Sequence, residues 1–204
     1  MLAIGVGLLH ALDVDHLLAV AGMSGLHPSD WRRSAGFSLR WSVGHGSSVL
    51  FLGSLVFVFG MSVPRQFSHF AELLVGVMLL VIGLLLLIDW RKQKQFKISH
   101  IEGPCNVLHQ HRQGTVLVGL IHGTAGTAPL LLLMPITQSA TPFTAMMFLV
   151  LFSVGVLLSM LLFGSLLGKF FSKLIRQHQQ SLQHVRLLIS VITISLAFSL
   201  LVSH

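Results

Sequence analysis

Residues 8–20, LLHALDVDHLLAV, set four groups that hydrocarbon rejects into an otherwise apolar run: His10, Asp13, Asp15 and His16. The run around them, near 2–26, is long enough to cross about 30 Å of bilayer core, which takes roughly 20 helical residues. A charged aspartate near the centre of such a span costs about 2.5–3.5 kcal/mol on insertion scales, and two cost more. Water, a protein partner or an ion must offset that penalty. On a regular helix His10, Asp13 and His16 lie at about 0°, 300° and 240° and share a face, whereas Asp15 falls at about 140°, nearly opposite. Either Asp15 orients a histidine from outside a site, or the helix opens locally so that both carboxylates converge.

The rest of the chain has the same apolar character. Of its 204 residues, 53% are hydrophobic and 9% charged, against about 25% charged in soluble domains. An all-α, polytopic integral membrane protein follows. Six spans are expected, near 2–26, 38–61, 68–89, 115–136, 143–168 and 185–203. The short alternating segments of a transmembrane β-barrel are not seen. Of the 13 Lys and Arg, twelve fall beside the first, third and fifth loops: Arg32, Arg33, Arg40; Arg91, Lys92, Lys94, Lys97, Arg112; Lys169, Lys173, Arg176, Arg186. Arg65 alone falls on the other side. Positive loops stay cytoplasmic, which puts both termini outside a bacterial inner membrane. The net charge of +7 is then topological, and nucleic acid is not an expected partner. The first apolar run lacks a basic leader and a small-residue cleavage site, so it reads as a span rather than a signal peptide. Cys105 is the single cysteine, so no internal disulfide forms.

The second half echoes the first. VGLLHAL at 6–12 matches VGLIHGT at 118–124, and WSVGHGSSVLFLGSL at 41–55 matches FSVGVLLSMLLFGSL at 152–166. ELLVGVMLLVIGL at 72–84 matches RLLISVITISLAF at 186–198 more weakly. One transmembrane domain, 1–204, would then comprise a repeat at 1–90, a cytoplasmic loop at 91–113 and a repeat at 114–204. Units of three spans must cross the membrane in opposite senses, an architecture common in secondary transporters, with the substrate site near the midplane. A duplicated scaffold without transport would carry the same pattern.

Two further histidines lie in spans. His45, in SVGHGSS, is flanked by Gly44 and Gly46, which let another backbone approach. His122, in GLIHGTAGTAPL, takes the place of His10 in the second repeat; Gly123, Gly126 and Pro129 weaken its helix, and Thr124 and Thr127 add hydroxyls. Imidazole and carboxylate together suit nickel, cobalt, zinc or iron, and a second carboxylate can fix an imidazole tautomer from outside. The expected metal-binding set is His10, Asp13, Asp15, His16, His45 and His122. A buried His–Asp hydrogen-bond network joining helices would use the same residues. Glu72 is expected at interfacial water and Asp89 in solvent at a helix end. The loop HIEGPCNVLHQH carries His100, Cys105, His109 and His111 as either a metal station or a solvated loop.

HALDVDH resembles the signature of the nickel/cobalt transporter superfamily: His10, then Asp15-His16, with Asp13 at the additional acidic position. Gly44-His45 is similar to that family's second-span pair, and HGTAGTAPLL resembles a segment of its urease-accessory branch. The resemblance implies a divalent-metal permease with nickel or cobalt as cargo, no prosthetic group and no catalytic residues. Many members have eight spans and carry the signature in the second; here it lies in the first, with the same direction across the membrane. Two rivals use the same residues. One is an intramembrane zinc hydrolase, for which no His-Glu-x-x-His motif is present. The other is a membrane metallochaperone, whose partners would be metalloenzyme assembly proteins.

Overall fold

The computed structural model describes residues 2–26, 31–62, 64–95, 112–125, 141–177 and 179–203. Seven helices occupy them: α1 (Leu2–His10), α2 (Val14–Leu26), α3 (Trp31–Phe57), α4 (Arg65–Gln95), α5 (Arg112–Ala125), α6 (Pro142–Gln177) and α7 (Gln179–Val202). No strand occurs among the described residues. Local signals place several ends. Thr141 caps α6, its Oγ1 accepting the Thr144 N–H at 3.4 Å, with Pro142 at the first helical position. After α3, Gly60 takes φ +66°, and the Met61 N–H turns back to the Leu55 carbonyl at 3.0 Å.

Among the described residues, Gln66–Lys92, Pro142–Arg176 and Gln180–Val202 are each long and apolar enough to span a membrane. The first expected span is not one continuous helix: α1 and α2 pass the same test only as a pair, bent by 58°. The fourth is described only as far as Ala125, the end of α5. Helix α3 runs 27 residues, about 40 Å at 1.5 Å per residue, yet falls short in hydropathy. The reason lies in its packing. It is wedged between α5 and α6, and Ser34, Ser38, Ser42, His45 and Ser48 all turn inward. The Ser38 and Ser42 hydroxyls donate to carbonyls four residues back, at 3.0 and 2.8 Å, so their polarity is satisfied within the helix.

Large apolar side chains point outward instead. Val77, Val81, Leu84 and Ile88 form an exposed stripe along α4, and Val154, Leu158, Leu162 and Leu166 form another along α6. An apolar exterior around a polar-bearing interior is the arrangement a lipid solvent selects.

Two helix crossings are close enough to require glycine. In the α1–α6 crossing, a Cβ on Gly7 would meet the Phe152 carbonyl, and one on Gly155 would meet the Ile4 carbonyl. In the α3–α5 crossing, a Cβ on Gly119 would meet the Trp41 carbonyl, and one on Gly44 the Val116 carbonyl. Helix α4 lies along α7, where the Ser190 hydroxyl donates to the Gly83 carbonyl at 2.9 Å. The same interface corrects the expectation for Asp89. Its side chain is 13% exposed and accepts from Arg186 Nη1 at 3.2 Å, while Arg186, read as a loop residue, is buried on α7.

Candidate metal centre

The site is built on the break between α1 and α2. The last turn of α1 closes with Ala11 N–H donating to Gly7 and Asp13 N–H donating to the His10 carbonyl, both at 3.1 Å. Helix α2 restarts with Leu17 N–H donating to the Asp13 carbonyl at 3.0 Å. Aspartate is favoured at such a restart, where the orphan N–H groups and the positive end of the helix dipole welcome an anion. The second aspartate, Asp15, lies in the first turn of α2. The two alternatives for Asp15 are both present: the helix opens so that Asp13 and Asp15 lie on the same side, and Asp15 also holds His16.

Each histidine of the break is held by a neighbouring aspartate. His10 Nδ1 lies 2.9 Å from Asp13 Oδ2. His16 donates from Nδ1 to Asp15 Oδ1 at 2.8 Å and from its backbone N–H to the same oxygen at 2.9 Å. On α5, His122 Nδ1 donates to the Val118 carbonyl at 3.1 Å. Acceptors on Nδ1 leave the lone pair on Nε2, the arrangement that orients a metal-ligating imidazole. Among the described residues, the Nε2 atoms of His16 and His122 have no hydrogen-bond partner, and neither nitrogen of His45 has one. All three rings are buried. A buried polar atom left unsatisfied costs about 1–3 kcal/mol, so three such rings side by side call for a ligand.

The rings are in mutual contact. His16 lies 4.8 Å from His10, 5.1 Å from His45 and 5.3 Å from His122, centroid to centroid. One nitrogen each from His10, His16 and His45 falls within 4.8 Å of the others. One ligand atom each from Asp13, Asp15 and His16 does the same. Two nitrogens bound to one ion at about 2.0–2.1 Å stand at most ~4.2 Å apart, so small side-chain shifts close either trio. His122 touches His16 without joining a trio. All six expected residues thus gather at one place.

Sequence reasoning missed Trp41. Its fully buried indole stacks on His45 at 5.1 Å with 16° between planes, and its edge contacts His16 and His122 at 5.1 and 5.4 Å. The signal was available, because Trp41 precedes His45 by four residues and so shares its helix face. Glu72 was read as an interfacial residue; it lines a cavity of about 220 Å3 together with His10, Asp13, Asp15 and His16. His69 and His184 are exposed near the starts of α4 and α7. His27, His100, Cys105, His109, His111, Gly126, Thr127, Pro129, His178 and His204 lie outside the described residues.

The family model described as cytochrome C biogenesis protein transmembrane region matches residues 18–197. A urease accessory protein, UreH, from Bacillus sp. strain TB-90 is 26% identical over 174 residues, covering 79% of this chain and 72% of that one. A high-affinity nickel transport protein from Cupriavidus necator is 35% identical over 72 residues, 35% of this chain and 20% of that one. No solved structure matches. Neither relative is named as an enzyme. With its apolar helices and outward-facing apolar stripes, the chain is an integral membrane protein. One relative is thus named as accessory to urease and one for nickel transport, and since the family match covers most of its length, the chain belongs to the family of the cytochrome C biogenesis protein transmembrane region.

Proposed function

We propose that the protein carries divalent nickel, cobalt or both across the membrane through a midplane site formed by His10, Asp13, Asp15, His16, His45 and His122. One observation carries this reading: buried imidazoles with unpartnered nitrogens converge beside two carboxylates at a helix break. Nitrogen with some carboxylate suits these ions, whereas magnesium and calcium take oxygen alone. The names of the two relatives point the same way. With one cysteine, the chain has no dithiol pair of its own, so its function is not placed in thiol–disulfide exchange.

Six spans in two inverted three-helix units remain our reading of the architecture, with both termini outside the inner membrane. The glycine crossings support it. Gly7 and Gly119, like Ile4 and Val116, are 112 residues apart; Gly44 and Gly155, like Trp41 and Phe152, are 111 apart. The α1–α6 and α3–α5 crossings thus use equivalent residues of the two units, as duplication with inversion requires. Rocking of the units about these crossings would expose the site alternately to each side. Inward movement of a dication gains about 4.6 kcal/mol per 100 mV, twice the single-charge figure, so import needs no nucleotide.

The name of the urease accessory relative favours a second reading, a membrane metallochaperone that binds nickel and passes it to enzyme-assembly proteins. Uptake of labelled nickel by proteoliposomes separates the two. Saturable uptake that His16→Ala abolishes supports transport. Stoichiometric binding without uptake refutes it in favour of the chaperone.

A further inference from the structure

The cavity beside the imidazoles is lined by His10, Asp13, Asp15 and His16 at the α1–α2 break, by Glu72 and Val75 of α4, and by Ala125 and Leu200. Its volume of about 220 Å3 holds roughly seven waters at ~30 Å3 each. A dication with its six inner waters therefore fits. Three carboxylates make this space oxygen-rich, whereas the adjoining trio of His10, His16 and His45 offers only nitrogen. His16 belongs to both groups. It lines the cavity, its residue is 2% exposed, and its Nε2 has no partner.

We infer that this cavity is a receiving station, in which Glu72, Asp13 and Asp15 hold a divalent cation still carrying its water before His16 draws it into the nitrogen trio. The inference rests on the transport reading above. It separates two tasks that a single site performs poorly. Carboxylates capture a hydrated ion through its water without choosing among metals, because any dication satisfies them. Selection follows at the imidazoles, which replace water only for ions that prefer nitrogen. Magnesium, which gives up its water reluctantly, stops at the first stage. Glu72 meets the hydration shell rather than the metal, so it governs arrival and not the later step.

The test is initial-rate nickel uptake by proteoliposomes, over a range of nickel concentrations, with and without magnesium. A unit charge about 7 Å from a dication in watery surroundings changes local occupancy roughly sevenfold. Glu72→Gln should therefore raise KM for nickel about sevenfold, leave the maximal rate unchanged, and raise the inhibition constant of magnesium by the same factor. Glu72→Asp, which keeps the charge, should restore both. In a separate readout, equilibrium dialysis should show His45→Ala protein holding cobalt, and adding Glu72→Gln should weaken that binding about sevenfold. Unchanged KM and magnesium competition in Glu72→Gln, with His45→Ala still blocking uptake, overturn the station and leave the transport reading standing. Failure of the wild-type protein to take up nickel at all overturns both.

Discussion

Replacing Asp15 with asparagine isolates what its charge does for His16. Asp15 Oδ1 accepts two bonds from His16, from the ring Nδ1 at 2.8 Å and from the backbone N–H at 2.9 Å. Asparagine keeps an acceptor of the same size in the same turn, so the start of α2 is retained. Losing a negative charge from a first helical turn costs about 0.3–1 kcal/mol of helix stability. The effect on the metal is larger. A carboxylate behind an imidazole fixes its tautomer and strengthens its outward nitrogen, and removing such a partner weakens metal binding about 10–100-fold. That corresponds to ~1.4–2.7 kcal/mol. Titration calorimetry of nickel into the purified protein in detergent should show Kd raised by that factor, with helical content unchanged by circular dichroism. A Kd within twofold of the wild type, in a protein of normal helicity, would refute the assignment of Asp15 as the residue that holds His16 for a metal.

Three other outcomes follow from the geometry. Because Trp41 lies about 5 Å from the His16 and His45 rings, bound nickel or cobalt should quench its fluorescence; Trp41→Phe should remove most of the quenching and Trp31→Phe little, and equal quenching in the two variants would place the ion elsewhere. Gly119→Ala drives a methyl group onto the Trp41 carbonyl and should destabilise the protein by about 1–3 kcal/mol in thermal melts. Gly5→Ala, where nothing lies within 4 Å, should instead gain about 0.5–1 kcal/mol, and identical melts for the two alanine variants would contradict the close crossing. Arg186→Met takes from buried Asp89 its charged partner and should cost about 3–5 kcal/mol; adding Asp89→Leu should recover most of that loss, and a double variant as unstable as the single would show that the pair is not the cause.

The composition of the chain was enough to read an all-helical membrane protein, because apolar runs of span length have few other uses. His10, Asp13 and His16 could be grouped from helical spacing alone. Asp15 could not, since its place depends on where the helix breaks, and a break resets every angle counted past it. An aspartate such as Asp13 is favoured where a helix restarts, but such a residue permits a break without requiring one. Helix α3 shows the opposite difficulty. Its serines and His45 depress its hydropathy, and only its neighbours α5 and α6 reveal that this polarity faces inward. The Arg186–Asp89 pair joins residues 97 positions apart, a contact that no local pattern carries. Trp41 was overlooked for a simpler reason: an indole in an apolar run resembles ordinary core until the rings beside it are known.

Both carboxylates of the helix break sit beside imidazoles that are neutral when they ligate. On the transport reading one dication matches the two carboxylate charges when the centre is loaded, and the empty centre lacks that match. Electroneutrality would favour the loaded protein in any state that shuts out water on both sides, while the empty protein would meet a dielectric barrier there. The same pair of aspartates that attracts the ion would then slow the return of the empty protein, a step that net uptake requires, so that this return rather than the loaded crossing would set the pace.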